Sequence, residues 1–183
     1  MQVTKTEIPG VLIITPRRIA DARGFFSETF QAERYASAGI PHPFVQDNWS
    51  RSRRGVLRGL HLQHPNAQSK LVSVVRGSVL DVAVDVRRGS PTFGRHVAIE
   101  ISDENGVQFF VPRGCAHGFI VLSDTADFLY KCDEYYSPQD EIVVRWNDPA
   151  LGIDWRISDP ILGPRDAAAP LLADIPNLPS FDG

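Results

Sequence analysis

Ser78-Val79-Leu80-Asp81-Val82-Ala83-Val84-Asp85-Val86-Arg87 is the stretch on which the fold turns. Val82, Val84 and Val86 fall on one side of an extended chain, and Asp81, Ala83, Asp85 and Arg87 on the other. That is a period of two, which a helix does not produce. Similar short runs lie to either side, at 11–14, 70–75, 96–101, 107–111, 118–122, 127–132 and 142–146, with Gly or Pro clusters between them. The sequence predicts one short helix over 31–38, stopped by Gly39 and Pro41. Many short strands without intervening helices predict a mainly β fold, an antiparallel barrel or double-sheet jelly roll, and argue against a parallel α/β sheet. After Asp159 the prolines and Ala167-Ala168-Ala169 predict a loop or short helix that packs on the barrel.

At 183 residues the chain is expected to form a single domain, 1–183. Hydrophobic residues make up 43% and charged residues 22%, a globular composition. Lys and Arg total 19 against 22 Asp and Glu, a net charge of −3, which argues against nucleic acid as the partner. No apolar run nears the ~18 residues of a membrane span. The N-terminus lacks the basic, apolar and small-residue order of a signal peptide, so the expected location is cytoplasmic. Cys115 and Cys132 have no metal-finger spacing and read as reduced, buried thiols.

The densest polar cluster runs from Gln46-Asp47-Asn48-Trp49-Ser50 through Arg58-Gly59-Leu60-His61-Leu62-Gln63. A solvated loop entering a strand explains it as well as a site does, until its mixture is considered. Gly55 and Gly59 flank Arg58, and His61 and Gln63 share one side of a strand beginning there. Arg58 is out of phase with His61 under strict alternation, so an irregular backbone is expected around Gly59. Further on, Gly106, Pro112, Gly114 and His117 fit the spacing of the second motif of the cupin superfamily. The first motif is half present, because Gln63 stands where a second histidine ligand is expected and the later glutamate is missing. Amide oxygens substitute poorly for imidazoles at a transition metal. The barrel is therefore expected to be cupin-like, without a metal or other cofactor, leaving His61 and His117 for proton chemistry.

Over nearly its whole length the chain resembles the dTDP-4-dehydrorhamnose 3,5-epimerase family. The resemblance is carried by Asp21-Ala22-Arg23-Gly24-Phe25-Phe26-Ser27-Glu28, the cluster from Gln46 to Gln63, and Lys70-Leu71-Val72-Ser73-Val74-Val75-Arg76-Gly77. It continues through 85–94, Ala116-His117-Gly118-Phe119, Tyr130-Lys131-Cys132-Asp133-Glu134-Tyr135-Tyr136, Trp146-Asn147-Asp148-Pro149 and Pro164-Arg165-Asp166, in the same order.

The resemblance implies a thymidine diphosphate sugar whose C4 ketone acidifies the hydrogens at C3 and C5. It implies His61 as the base, with Asp166 bonded to its far nitrogen, and Tyr130 as the proton donor on the opposite face. Lys70, one of three lysines, is implied beside the C4 oxygen, where an ammonium stabilises a developing oxyanion, with His117 near the same oxygen. Arg23, Arg58 and Arg165 are implied on the diphosphate. Glu28, Gln46, Asn48 and Glu141 are implied on nucleotide or sugar, and Tyr136 stacked on thymine. A homodimer in which an N-terminal segment reaches the neighbour's site is also implied. Taken alone, the residues leave open a structural histidine at 61, a core tyrosine at 130, a surface lysine at 70 and a helix-cap aspartate at 166.

Trp49, Leu62 and Cys115 depart from the commonest family residues and bear on pocket shape. The leading expectation is an isomerase of rhamnose and cell-surface polysaccharide biosynthesis inverting both carbons. Its rivals are a single-carbon epimerase of a deoxysugar pathway, a metal-dependent cupin oxygenase and a sugar-binding barrel.

Overall fold

The computed structural model describes residues 1–181. Two antiparallel sheets face each other. The first runs in the order β1 (Gln2–Lys5), β2 (Leu12–Thr15), β10 (Gln108–Val111), β7 (Lys70–Arg76), β12 (Thr125–Cys132) and β5 (Gln46–Arg53). The second runs β13 (Glu141–Val143), β6 (Val56–Gln63), β11 (Cys115–Val121), β8 (Ser78–Asp85) and β9 (His96–Ser102), with β14 (Ile161–Leu162) parallel to β6. A separate hairpin joins β3 (Arg18–Asp21) to β4 (Gly24–Ser27). The helices are short: α1 (Ala32–Ser37), capped by the Gln31 side chain, and α2 (Pro164–Ala167). This is the expected double-sheet jelly roll of mainly β structure.

The deciding stretch forms β8, second from the edge of its sheet and buried on both faces. Leu80, Val82, Val84 and Val86 point out of the barrel and pack beneath Leu151, Trp155, Leu172, Ile175 and Leu178 of the C-terminal segment. Burying each such side chain contributes about 1.5–3 kcal/mol of gross transfer free energy. Val79 and Ala83 point inward, toward Val72, Phe109, Phe119 and Phe128. Asp81 and Asp85 share that inward face and are fully buried. Asp85 accepts hydrogen bonds from Arg87, Ser90 and Thr92, which fold the following turn onto the strand.

The stretch 46–63 is not a loop entering a strand. It is two full strands, β5 and β6, joined by Arg54-Gly55 and lying in different sheets. A single turn thus carries the chain from one wall of the barrel to the other. Strand β11 begins at Cys115, three residues before its predicted start, because Cys115, Ala116 and His117 continue the ladder with Asp85, Val84 and Ala83 of β8. The strand there is Glu141–Val143, so only Ile142 and Val143 of the predicted 142–146 run belong to it; further on the Trp146 carbonyl accepts from the Trp155 indole instead.

Candidate active site

The β5–β6 connection determines the site. Because the two strands belong to opposite sheets, their inward side chains face each other across the interior. Gln46, Asn48, Ser50 and Ser52 alternate inward on β5, while Asp47, Trp49, Arg51 and Arg53 face solvent. Between Arg58 and His61, β6 holds one more residue than the matching part of β11, since Phe119 pairs with Arg58 and His117 with His61. This bulge at Gly59 resolves the phase conflict in the sequence and puts both Arg58 and His61 on the cavity wall. Gly59 has a φ of +131°, and a Cβ there would lie 2.5 Å from the Gly118 Cα, so no side chain fits. Nε and Nη2 of Arg58 donate to the Ser52 hydroxyl at 3.2 and 3.1 Å, which steadies the guanidinium across the barrel.

The cavity has a volume of about 360 Å³. On the floor formed by β6 and β11 stand two imidazoles directly opposite each other in register, each backed by a buried carboxylate. His61 Nε2 lies 2.6 Å from Asp166 Oδ1, and Gly59 N donates to the other oxygen of Asp166 at 3.4 Å. Asp166 arrives from α2, 105 residues later in the chain. The second nitrogen of His61, Nδ1, is 4.0 Å from Glu141 Oε1, beyond hydrogen-bonding distance. His117 Nε2 lies 2.7 Å from Asp81 Oδ1 on the neighbouring strand β8, and Asp81 Oδ2 is buried without a hydrogen-bond partner.

The opposite wall supplies Tyr130 from β12 and Lys70 from β7. Burial raises the Tyr130 phenol above the ordinary tyrosine range, with the neighbouring Cys132 adding to the effect, so it is a protonated donor at neutral pH. Desolvation pulls the Lys70 ammonium below the ordinary lysine range, against the opposing pull of Cys132, Glu141 and Asp81. Cys132, paired with Lys70 across the sheet, is itself pushed up to about 11 by burial, and Cys115 to about 12, so both are thiols as expected.

At the rim, the Tyr136 hydroxyl donates to Glu141 Oε2 at 2.8 Å, and Nη2 of Arg165 is ion-paired with the same oxygen. Gln46 and Asn48 are hydrogen-bonded to each other, and Gln46 Oε1 accepts from Tyr136 N. Gln46, Asn48, Arg58, His61, Lys70, His117, Tyr130, Tyr136, Glu141 and Asp166 therefore line one cavity, with Arg165 on its edge.

Arg23 and Glu28 do not join them. Arg23 sits in the β3–β4 turn, 89% exposed and paired with Asp21, and Glu28 pairs with Arg34. Sequence reasoning missed Asp81 as the partner of His117, and Ser50, Ser52 and Gln68 on or beside the cavity. Strand alternation gave the face of Asp81, but only the β8–β11 register shows which side chain it meets.

A cupin metal does not fit the residues present. Gln63, at the position of an expected ligand, spends its amide on two loops: Nε2 donates to the Asn66 carbonyl of the β6–β7 loop and to the Tyr135 carbonyl, and Oε1 accepts from Ser137 N, on either side of Tyr136. Among the described residues, no group of three or more His, Cys, Asp or Glu side chains is placed to hold a metal ion.

The sequence profile of the dTDP-4-dehydrorhamnose 3,5-epimerase family matches residues 5–174. A protein of that description from Pseudomonas aeruginosa is 50% identical over 176 residues, covering 95% of this chain and 97% of the relative. One from Salmonella typhimurium is 51% identical over 175 residues, covering 94% and 96%. The crystal structure of a dTDP-6-deoxy-D-glucose-3,5-epimerase from Legionella pneumophila in complex with dTDP-4-keto-L-rhamnose superposes with a TM-score of 0.96 at 52% identity, covering 100% of this chain and 99% of that one. The inward-facing polar residues of β5 and β6, the two carboxylate-backed imidazoles and these relatives agree: the chain belongs to the dTDP-4-dehydrorhamnose 3,5-epimerase family.

Proposed function

We propose that the cavity works as follows in the reaction of this family. The chain epimerises C3 and C5 of dTDP-4-dehydro-6-deoxy-D-glucose, giving dTDP-4-dehydro-L-rhamnose. The ketone at C4 makes the C–H bonds on both neighbouring carbons acidic. His61 removes a proton through Nδ1, because Nε2 is committed to Asp166. Asp166 fixes the ring and stabilises the imidazolium that forms. The electron pair moves onto the C4 oxygen, where Lys70, with His117 beside it, stabilises the enolate charge. Tyr130, on the opposite sheet, returns a proton to the other face, and the carbon is inverted. Repetition at the second carbon completes the reaction without net redox change.

Arg58 and Arg165 take the diphosphate, Tyr136 stacks on thymine, and Gln46, Asn48 and Glu141 contact nucleotide or sugar. Arg23 and Glu28 serve the site of a second copy of this chain. Their hairpin exposes Phe25 and Phe26 at 61% and 69%, an apolar surface that a homodimer covers. No helix among the described residues is long and apolar enough to cross a membrane.

The observation that carries this reading is the placement of His61 and Tyr130 on opposite walls of one cavity. Turnover of the 4-keto sugar nucleotide in deuterium oxide tests it. Deuterium enters both C3 and C5 with the wild type, whereas His61→Ala slows entry at both by ~100-fold or more, the scale for removing a general base, with thymidine diphosphate binding retained. Deuterium at one carbon only makes the enzyme a single-carbon epimerase, and undiminished exchange in His61→Ala removes the histidine from the mechanism.

A further inference from the structure

Glu141 occupies a position that substrate contact alone does not explain. Its main chain is pinned to β6, with Glu141 paired to Gln63 and Val143 to His61. Its carboxylate stands between two sets of groups. Oε2 is shared by the Tyr136 hydroxyl and the Arg165 guanidinium. Oε1 faces Nδ1 of His61 across 4.0 Å, and the side chain is 10% exposed. Arg165 and Asp166 are consecutive in α2, so one turn of helix acts on both sides of the imidazole, directly at Nε2 and through Glu141 toward Nδ1.

We propose that Glu141 is a positioning residue for His61, released by the nucleotide. The inference rests on the assignments of Tyr136 to thymine and Arg165 to diphosphate made above. The two groups that hold Oε2 in the free protein are the two that the nucleotide claims. A diphosphate offers Arg165 a fork of oxygens with more charge than one carboxylate, and thymine draws on the Tyr136 ring. Binding therefore draws the Arg165 charge away from Glu141, whose backbone is held in the sheet, while stacking on the Tyr136 ring leaves its hydroxyl able to keep donating. A carboxylate whose charge is shared with a guanidinium does little for a cation 4 Å away. Once unshared, it favours the imidazolium that appears when His61 takes the substrate proton. Binding energy from the unreactive nucleotide is thereby used at the reacting carbon, where it raises kcat at the expense of affinity.

The experiment combines calorimetric titration of thymidine diphosphate with steady-state kinetics on wild type and Glu141→Gln. Loss of the competing carboxylate frees Arg165, so the variant binds thymidine diphosphate about 2- to 5-fold more tightly, the scale of a half-exposed ion pair. Its kcat falls about 10- to 100-fold. A simple substrate contact gives the opposite sign: weaker or unchanged nucleotide binding overturns the proposal, as does a kcat within 3-fold of wild type. Should Glu141→Gln not fold, the crystal structure of the wild type with thymidine diphosphate decides. Arg165 withdrawn from Glu141 supports release, and an intact Arg165–Glu141 contact refutes it. Failure of the base assignment is separate, because active His61→Ala removes the base whatever the nucleotide affinity of Glu141→Gln.

Discussion

Asp166→Asn changes one oxygen to an NH2 group and leaves the volume of the side chain unaltered, so its effect can be worked out from the contacts. Two donors meet the carboxylate in the wild type: the Nε2–H of His61 at 2.6 Å and the amide of Gly59 at 3.4 Å. An asparagine cannot accept from both through separate oxygens. With its oxygen toward His61 it sets NH2 against the Gly59 N–H. With its oxygen toward Gly59 it donates to Nε2, which moves the imidazole proton to Nδ1, the nitrogen proposed above as the base. The first arrangement loses the charge-assisted bond, worth about 1.5–3 kcal/mol. The second adds the cost of reaching the other tautomer. Together they predict a fall in kcat of about 10²- to 10³-fold, equivalent to about 3–4 kcal/mol of transition-state stabilisation. The assay is steady-state epimerisation, followed by deuterium entry, with calorimetry on thymidine diphosphate as the control for folding. Affinity for the nucleotide should stay within about 3-fold. A variant with kcat within 5-fold of wild type would refute the reasoning, since it would show that the orientation of the imidazole does not limit the reaction.

Lys70→Met should reduce kcat by about 10²- to 10³-fold, the scale of losing one oxyanion donor. Because desolvation lowers the Lys70 ammonium from 10.5, the charged form is lost on the alkaline side before that pH, and the pH profile of wild-type kcat should fall there. Tyr130→Phe should let solvent deuterium enter the substrate without inversion, detected by NMR as labelled but unconverted 4-keto sugar. Gly59→Ala should cost about 3 kcal/mol or more in denaturant unfolding, because its Cβ meets the Gly118 Cα at 2.5 Å with φ at +131°. Burial pushes Asp85 up, but the bonds from Arg87, Ser90 and Thr92 outweigh it and bring the group down to about 2. A carboxyl lowered in the folded state stabilises fully above its unfolded value near 4 and loses that stabilisation as pH falls toward 2. Asp85→Asn should therefore lack about 2 kcal/mol of the acid-dependent loss of stability seen in wild type.

The fold was legible wherever strands bury apolar side chains. The alternation in 78–87 located β8, and Gln31 with Gly39 bounded α1 within a residue. It was illegible in β5 because that strand turns its polar side inward. Gln46, Asn48, Ser50 and Ser52 face a cavity while Trp49 faces solvent, the reverse of a core-facing strand, so period two was present without its usual apolar partner. The phase of Arg58 was legible only as a conflict, resolved by a bulge that depends on Gly118 of another strand. The contact between His61 and Asp166 spans 105 residues, and no local spacing encodes it; family resemblance alone pointed to that pair. The β3–β4 hairpin, with Ile19, Phe25 and Phe26 outward, has no burial pattern to read within one chain.

Because Arg54-Gly55 takes the backbone from one wall to the other, two facing strips of the chamber, one on β5 and one on β6, are written in one short run of codons. Exchange of that cassette between relatives would transplant both strips at once, leaving the groups contributed by β7, β11, β12 and α2 in place. The same economy makes the site brittle: an insertion at this turn would shift the two walls out of step with each other while leaving every other strand pairing in place.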